Sequence, residues 1–287
     1  MTRLERFGDV WLKREDVHEL GAFKWRGALP TLARYRQDVV VTASTGNHGA
    51  ATAWAAKCLG MRAIVYVPRQ VSPVKRALIE RFGADLRDVG VDLDEAKDHA
   101  RAFAARGGIP FFEDGAEPAQ YEAYGSIADE LIEQCRPRPA AILVPVGNGA
   151  LLGGVGRRLG KGTLRVGVVA KEAPVMADSW EAGGPVASER CATFADGLAV
   201  RVAIPLAVTV LQEAADRIVR VSERAIAQAL GAFARSGIRV EAAAAAALAG
   251  LPQVRNVGGP IVVVVTGRNI GHELWLRAVE RPDLFPD

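Results

Sequence analysis

A chain of 287 residues, 49% hydrophobic and 24% charged, has the composition of an ordinary soluble globular protein and enough apolar material for about two domains. Its formal charge of +3 comes from 36 basic and 33 acidic residues scattered without a Lys/Arg block, which argues against a surface that tracks nucleic-acid phosphates. Three isolated cysteines, Cys58, Cys135 and Cys191, and four isolated histidines supply neither a disulfide framework nor a metal-ligand set. No apolar run reaches the length of a membrane span and the start lacks a secretory apolar region, so the expectation is a soluble cytoplasmic protein with no membrane partner.

Taken in chain order, residues 38–42 and 63–68 are short β-branched runs that read as buried strands, followed by helical patterns at 50–59 and 72–82. Residues 140–145 and 164–170 read as further strands, and a helix after the first of them is expected. Helical patterns at 222–236 and along the alanine run 242–251 precede a last strand at 261–266. Such alternation predicts an α/β fold of open, mainly parallel sheets whose ligand loops lie at the carboxyl ends of strands. The pattern divides into a small α/β domain at 35–124 and a larger one from 1–34 plus 125–287, with a cleft between them.

Three stretches could carry chemistry. The sequence V-T-A-S-T-G-N-H-G at 41–49 ends a strand in small polar residues and opens a helix, a design suited to holding a carboxylate or phosphate on backbone N–H groups. Ser44, Thr45 and Asn47 could equally serve as helix caps. The sequence V-P-V-G-N-G-A-L-L-G-G at 144–154 repeats the design with glycines that permit close backbone approach. Its spacing departs from the G-x-G-x-x-G of dinucleotide folds, and Lys161 lacks the context of a nucleotide P-loop. Lys24, in L-G-A-F-K-W-R-G at 20–27, sits between Phe23 and Trp25, whose rings would partly desolvate the amine and favour imine formation and general-base work. A lone lysine is more often a solvated surface group, and T-G-R-N at 266–269 taken alone is a strand ending in a turn.

The set and its order resemble the fold type II pyridoxal-phosphate enzymes, the tryptophan-synthase-β-like group, and within it the serine/threonine dehydratases. The resemblance spans nearly the whole chain: L-K-R-E-D at 12–16, G-A-F-K-W-R-G-A at 21–28, T-A-S-T-G-N-H-G at 42–49, the loop 144–151, F-A-D-G-L-A-V at 194–200, V-E-A-A-A-A at 240–245 and T-G-R-N at 266–269. It implies two open-sheet α/β domains with pyridoxal 5'-phosphate in the cleft between them. It also implies that Lys24 carries the cofactor as a Schiff base beside Phe23, with Asn47 toward the phenolic oxygen, Gly147, Asn148, Gly149, Ala150 and Leu151 around the phosphate, and Thr266 at the pyridine nitrogen. Ser44, Thr45, Gly46, Asn47 and His48 would hold the substrate carboxylate, and Thr45 is a second acid/base candidate unless it merely caps the helix.

Departures from the family pattern are Ala22 for a serine, Asn148 and Ala150 for glycines in the phosphate loop, and Arg268 for a glycine beside the pyridine contact. Those bulkier side chains could narrow the pocket or reorient the ring. Val169 falls where related racemases place a metal-binding acid, so no divalent site is expected. The activity implied is β-elimination of a small hydroxy amino acid such as threonine or serine to a 2-keto acid and ammonia, by a homodimer. Alternatives are a β-replacement synthase or threonine-synthase-like transferase, and a non-catalytic metabolite-binding paralogue, against which the intact Lys24 argues. Because the chain ends soon after Thr266, hyperbolic kinetics without feedback by isoleucine or valine are also expected.

Overall fold

Alternating strands and helices demand parallel pairing, because a parallel partner is reached only through a crossover long enough to carry a helix. The computed structural model describes residues 1–188, 191–254 and 257–287. In chain order the strands are β1 (Arg3–Phe7), β2 (Val10–Arg14), β3 (Val39–Ala43), β4 (Arg62–Val67), β5 (Asp85–Asp88), β6 (Ala141–Pro145), β7 (Leu164–Ala170), β8 (Arg217–Val221) and β9 (Ile261–Val265). The helices are α1 (Trp25–Leu32), α2 (Asn47–Cys58), α3 (Pro73–Glu80), α4 (Leu93–Gly107), α5 (Pro118–Gln134), α6 (Ala150–Leu159), α7 (Val175–Ala182), α8 (Pro205–Ala214), α9 (Glu223–Arg235), α10 (Ala242–Ala249) and α11 (His272–Glu280). No helix among the described residues is long and apolar enough to cross a membrane.

Two compact units emerge, Met1–Ala22 with Tyr124–Asp287, and Phe23–Ala123. The first boundary lies earlier than the sequence pattern implied. Residues 23–34 go with the smaller unit because α1 buries Ala28, Thr31 and Leu32 and packs against α2.

In the larger unit the described strands form a six-stranded sheet of order β1-β2-β9-β6-β7-β8, parallel except for the β1–β2 hairpin. The chain builds outward from β6 to β7 and β8 on one side and returns to place β9 on the other. The strand order therefore reverses between β6 and β9, and the crevice outside the carboxyl ends of such a pair is where open α/β sheets bind ligands. Their register, Ala141↔Ile261 to Leu143↔Val263, brings the ends at Pro145 and Val265 level. Helix α10 packs on β6, β7, β9 and α9, and its residues Ala242–Ala247 are all buried, as an all-apolar helix must be. Alanine lets these neighbours approach closely, and the surrounding core runs through Leu12, Leu143, Val168, Leu230, Phe233 and Val263.

The smaller unit holds a parallel sheet of order β3-β4-β5, with Val41, Ile64 and Tyr66 packed on Ala96, Ala100 and Ala104 of α4. A short extended stretch also joins this sheet at its β3 edge. Val41 N–H donates to the Pro110 carbonyl at 2.9 Å and Phe112 N–H to the Val41 carbonyl at 2.8 Å, so residues 110–112 pair with β3. That pairing carries residues 112–114 to the end of β3, where the segment 44–48 begins.

Candidate active site

In the smaller unit the side chains converge on Lys24. It is the residue that opens α1, and its amine lies 4.7 Å from the centroid of the Phe23 ring, which is itself buried. Trp25, expected to shield the amine from the other side, turns its ring to the Arg26 guanidinium at 4.8 Å. The amine donates to Asp114 Oδ2 at 2.6 Å, an ion pair in which the side chains are 14% and 20% exposed. Asp114 is fixed in turn, because Gln120 Nε2 donates to its Oδ1 at 3.1 Å and Gly115 N–H donates to Gln120 Oε1 at 2.8 Å. Burial works to raise the Asp114 carboxyl, but the charge of Lys24 and the hydrogen bonds it receives outweigh that and hold the acid at about 2.

His48 completes the cluster from the first turn of α2. Its Nε2 lies 3.2 Å from the Phe112 carbonyl, an acceptor only, so this nitrogen carries the proton, and Nδ1 faces Asp114 Oδ1 at 3.6 Å. Burial is the largest influence on the imidazole and lowers its pKa below the ordinary value, against the opposing pull of Asp114. The segment before it makes no side-chain cap for α2. Gly46 is the N-cap residue, with no capping side chain, while Ser44 Oγ accepts from Gly46 N–H at 3.2 Å. The capping role weighed for Thr45 is thus not the one it plays, since it precedes the cap by one residue. With Gly46 at the cap, the first turn of α2 remains a backbone cradle for an anion. Thr45, Gly46 and Asn47 are partly exposed and Ser44 is buried.

In the larger unit the loop after β6 and the turn after β9 form a second constellation. Gly149 opens α6 with φ +93°, and a Cβ at Gly147 would lie 2.4 Å from the Gly197 carbonyl oxygen of the F-A-D-G segment, so neither position accepts a side chain. Asn148 does not narrow the loop, because its Oδ1 accepts from Ala150 N–H at 3.1 Å and turns back on its own chain. Ala150 and Leu151 are the buried first residues of α6. Thr266 follows β9, is 3% exposed, and its Oγ1 is buried without a hydrogen-bond partner. The T-G-R-N turn is locked in place: Arg268 N–H donates to the Gly21 carbonyl at 2.9 Å, Asn269 Nδ2 to the Leu20 carbonyl at 2.9 Å, and Gly267 bridges Ala22. Arg268, suspected of crowding the site, is exposed and its guanidinium reaches the His18 carbonyl at 3.4 Å.

The family model of the pyridoxal-phosphate-dependent enzymes matches residues 1–267. The chain belongs to that family. A biosynthetic L-threonine dehydratase from Pasteurella multocida is 31% identical over 98% of this chain and 57% of its own length. An L-threonine ammonia-lyase from Geobacter sulfurreducens is 31% identical over 95% of this chain and 70% of its own. Among solved structures, the processed threonine deaminase isoform 2 of Solanum lycopersicum superposes with a TM-score of 0.91 at 27% identity, covering 97% of this chain and 87% of that one. The chain spans roughly half to two thirds of the length of several dehydratases it matches.

The residues present fit the family's cofactor. A buried hydroxyl without a partner is rare in a native interior and is explained by a ligand that supplies one, as a pyridine nitrogen does. The side-chain-free backbone at Gly147 and Gly149, at the opening of α6, is the kind of cradle a phosphate requires. Lys24 brings a primary amine, the kind of group that can bond an aldehyde. Sequence reasoning singled out these residues as candidates but not Asp114, which belongs to no motif and reaches Lys24 only through the pairing of residues 110–112 with β3. Among the described residues no group of His, Cys, Asp and Glu is arranged to hold a metal ion.

Proposed function

We propose that this chain is a pyridoxal-phosphate-dependent ammonia-lyase that dehydrates and deaminates a small hydroxy amino acid, threonine or serine, to a 2-keto acid and ammonia. The observation that carries the reading is the placement of Lys24, its amine over the Phe23 ring and within one carboxylate of His48 in the 44–48 segment. The likeness to a threonine dehydratase and a threonine ammonia-lyase over nearly the full chain supports the substrate class.

When bound, pyridoxal phosphate is an electron sink that makes the α proton of an attached amino acid removable. Lys24 would hold the cofactor through its amine and would be the base placed to take the α proton. Phe23 screens this amine from water. Backbone N–H groups of Ser44, Thr45, Gly46, Asn47 and His48 hold the substrate carboxylate, which fixes the α C–H bond relative to the base. Thr45 is the second candidate for moving a proton, and Asn47 serves the phenolic oxygen. Gly147, Asn148, Gly149, Ala150 and Leu151 hold the phosphate. Thr266 would meet the ring nitrogen with its hydroxyl, which would not keep that nitrogen protonated as a carboxylate would, a setting that would favour elimination over transamination. The same reading makes the enzyme a cytoplasmic homodimer, which light scattering of the purified protein tests.

The decisive experiment incubates the enzyme with serine, threonine and threo-3-hydroxyaspartate one at a time, without added nucleophile, and measures ammonia and keto acid. Release from at least one of them is expected. If none releases both, while a thiol or amine switches on a new amino-acid product, a replacement enzyme takes the place of the lyase.

A further inference from the structure

The ion pair at Lys24 joins residues 90 positions apart in the sequence, and nothing in the motif that carries the lysine calls for it. Asp114 is held through both of its oxygens. Lys24 Nζ donates to one oxygen at 2.6 Å, Gln120 donates to the other at 3.1 Å, and His48 Nδ1 faces that second oxygen at 3.6 Å. Gln120 is fully buried, and its own oxygen is fixed by Gly115 N–H at 2.8 Å, so the carboxylate cannot swing away without breaking a buried contact. His48 is anchored on the Phe112 carbonyl and its ring packs on Phe112 at 4.6 Å. A carboxylate clamped this way marks a fixed point in space for the far end of a long, flexible side chain.

We propose that Asp114 is the positioning residue of Lys24, holding the lysine amine in place during the part of the cycle in which the substrate has displaced it from the cofactor. The proposal rests on Lys24 being the cofactor-bearing lysine. A released lysine has four rotatable bonds, and without a fixed partner its amine samples volume in which it can reach neither the α proton nor the cofactor aldehyde. The Asp114 contact removes that freedom with a charge-assisted hydrogen bond, stronger than a neutral one. Gln120 carries no charge, and Lys24 is the group that meets the carboxylate in an ion pair at hydrogen-bond distance, so the carboxylate is directed at the lysine.

The test uses the holoenzyme and L-alanine, whose β carbon has no leaving group. L-alanine is added until the visible band of the lysine-linked cofactor is displaced, the mixture is diluted into buffer lacking amino acid, and the rate at which the band returns is followed by stopped flow. In Asp114→Asn the return is expected to slow roughly ten- to a hundredfold, the loss of one hydrogen bond between charged groups. Asp114→Glu recovers much of the rate, and Gln120→Leu, which loosens the carboxylate while keeping its charge, slows it by a smaller factor. With hydroxy amino acids the Asn variant loses kcat while KM changes little. A return rate within about twofold of wild type in the Asn variant overturns the proposal, as does equal slowing in the Asn and Glu variants. Should the Asn variant fail to fold, wild-type return rates in Gln120→Leu overturn it equally. The absence of a lysine-linked band at Lys24 in the wild type removes its premise and overturns it as well. If no hydroxy amino acid is eliminated but Asp114→Asn still slows the return, the lyase reading falls and the positioning role stands.

Discussion

Thr266 and Asp114 pose opposite problems, a polar group with too few partners and one with several. The Thr266 hydroxyl is buried without a hydrogen bond, which costs on the order of 1 kcal/mol or more in the protein alone. The isosteric Thr266→Val is therefore expected to leave the cofactor-free protein equally stable or more stable by about 1 kcal/mol, while weakening cofactor binding roughly three- to tenfold. Urea titration and a fluorescence titration with pyridoxal phosphate read the two effects, and a loss of stability without the cofactor would show that the hydroxyl serves the fold. For Asp114 the folded-state pKa is lowered from 3.8 to about 2, so its contribution to stability is present above the ordinary value and disappears as pH falls toward about 2. The stability gap between wild type and Asp114→Asn should accordingly be larger at pH 5 than at pH 3, by roughly 1–2 kcal/mol in urea titrations. A gap that does not change between these pH values would count against the ion pair. Thr266 was legible in the sequence because it ends an apolar strand in a recognisable turn. Asp114 was not, because F-F-E-D-G-A has no periodicity and no motif, and its role depends on a pairing with β3 across some seventy residues of chain.

Elements show the same division. β3, β4, β6, β7 and β9 were readable as apolar runs because strands buried on both faces lose the alternation of polar and apolar residues. β5 has the sequence D-L-R-D and β1 has R-L-E-R-F, and both lie at sheet edges where half the side chains meet water, so neither carries an apolar run. α4 and α5 went unread because their charged faces dilute the apolar stripe. The loop between β6 and α6 was legible because its glycines have no other use, and the structure gives the reason for one of them: the Gly197 carbonyl occupies the space of a Cβ at Gly147. Gly147→Ala must push backbone against backbone, with no flexible side chain to yield. A loss of about 1–3 kcal/mol in thermal or urea denaturation is expected, together with weaker cofactor binding. A variant that is fully stable and binds the cofactor as wild type does would show that the F-A-D-G segment can yield.

Over the whole molecule, the α/β class and the strand ends that lead into the candidate loops were legible in the sequence, whereas the compact unit begins at Phe23 and not at the expected 35. The helical segment after Lys24 is short and interrupted by the exposed Pro30, and its allegiance is set by packing on α2, which no local signal reports. The proposed cofactor contacts come from separate parts of the chain, Lys24, residues 147–151 and Thr266, and none of these sets is assembled in an unfolded chain. Pyridoxal phosphate is therefore expected to bind the native state far more tightly than the unfolded chain, whose lysines form only weak Schiff bases, and to stabilise it by mass action, by up to about 2.7 kcal/mol at a free concentration one hundred times Kd. For a chain of this size that corresponds to a rise in Tm on the order of 5–10 °C, growing with cofactor concentration. Lys24→Ala keeps the phosphate loop and Thr266 but loses the covalent linkage, so its affinity falls and its Tm rises less at the same cofactor concentration. Scanning calorimetry of wild type and variant across a pyridoxal phosphate series reads both curves. Equal rises in the two proteins would mean that Lys24 contributes nothing to holding the cofactor, and the assignment of the lysine would have to be abandoned.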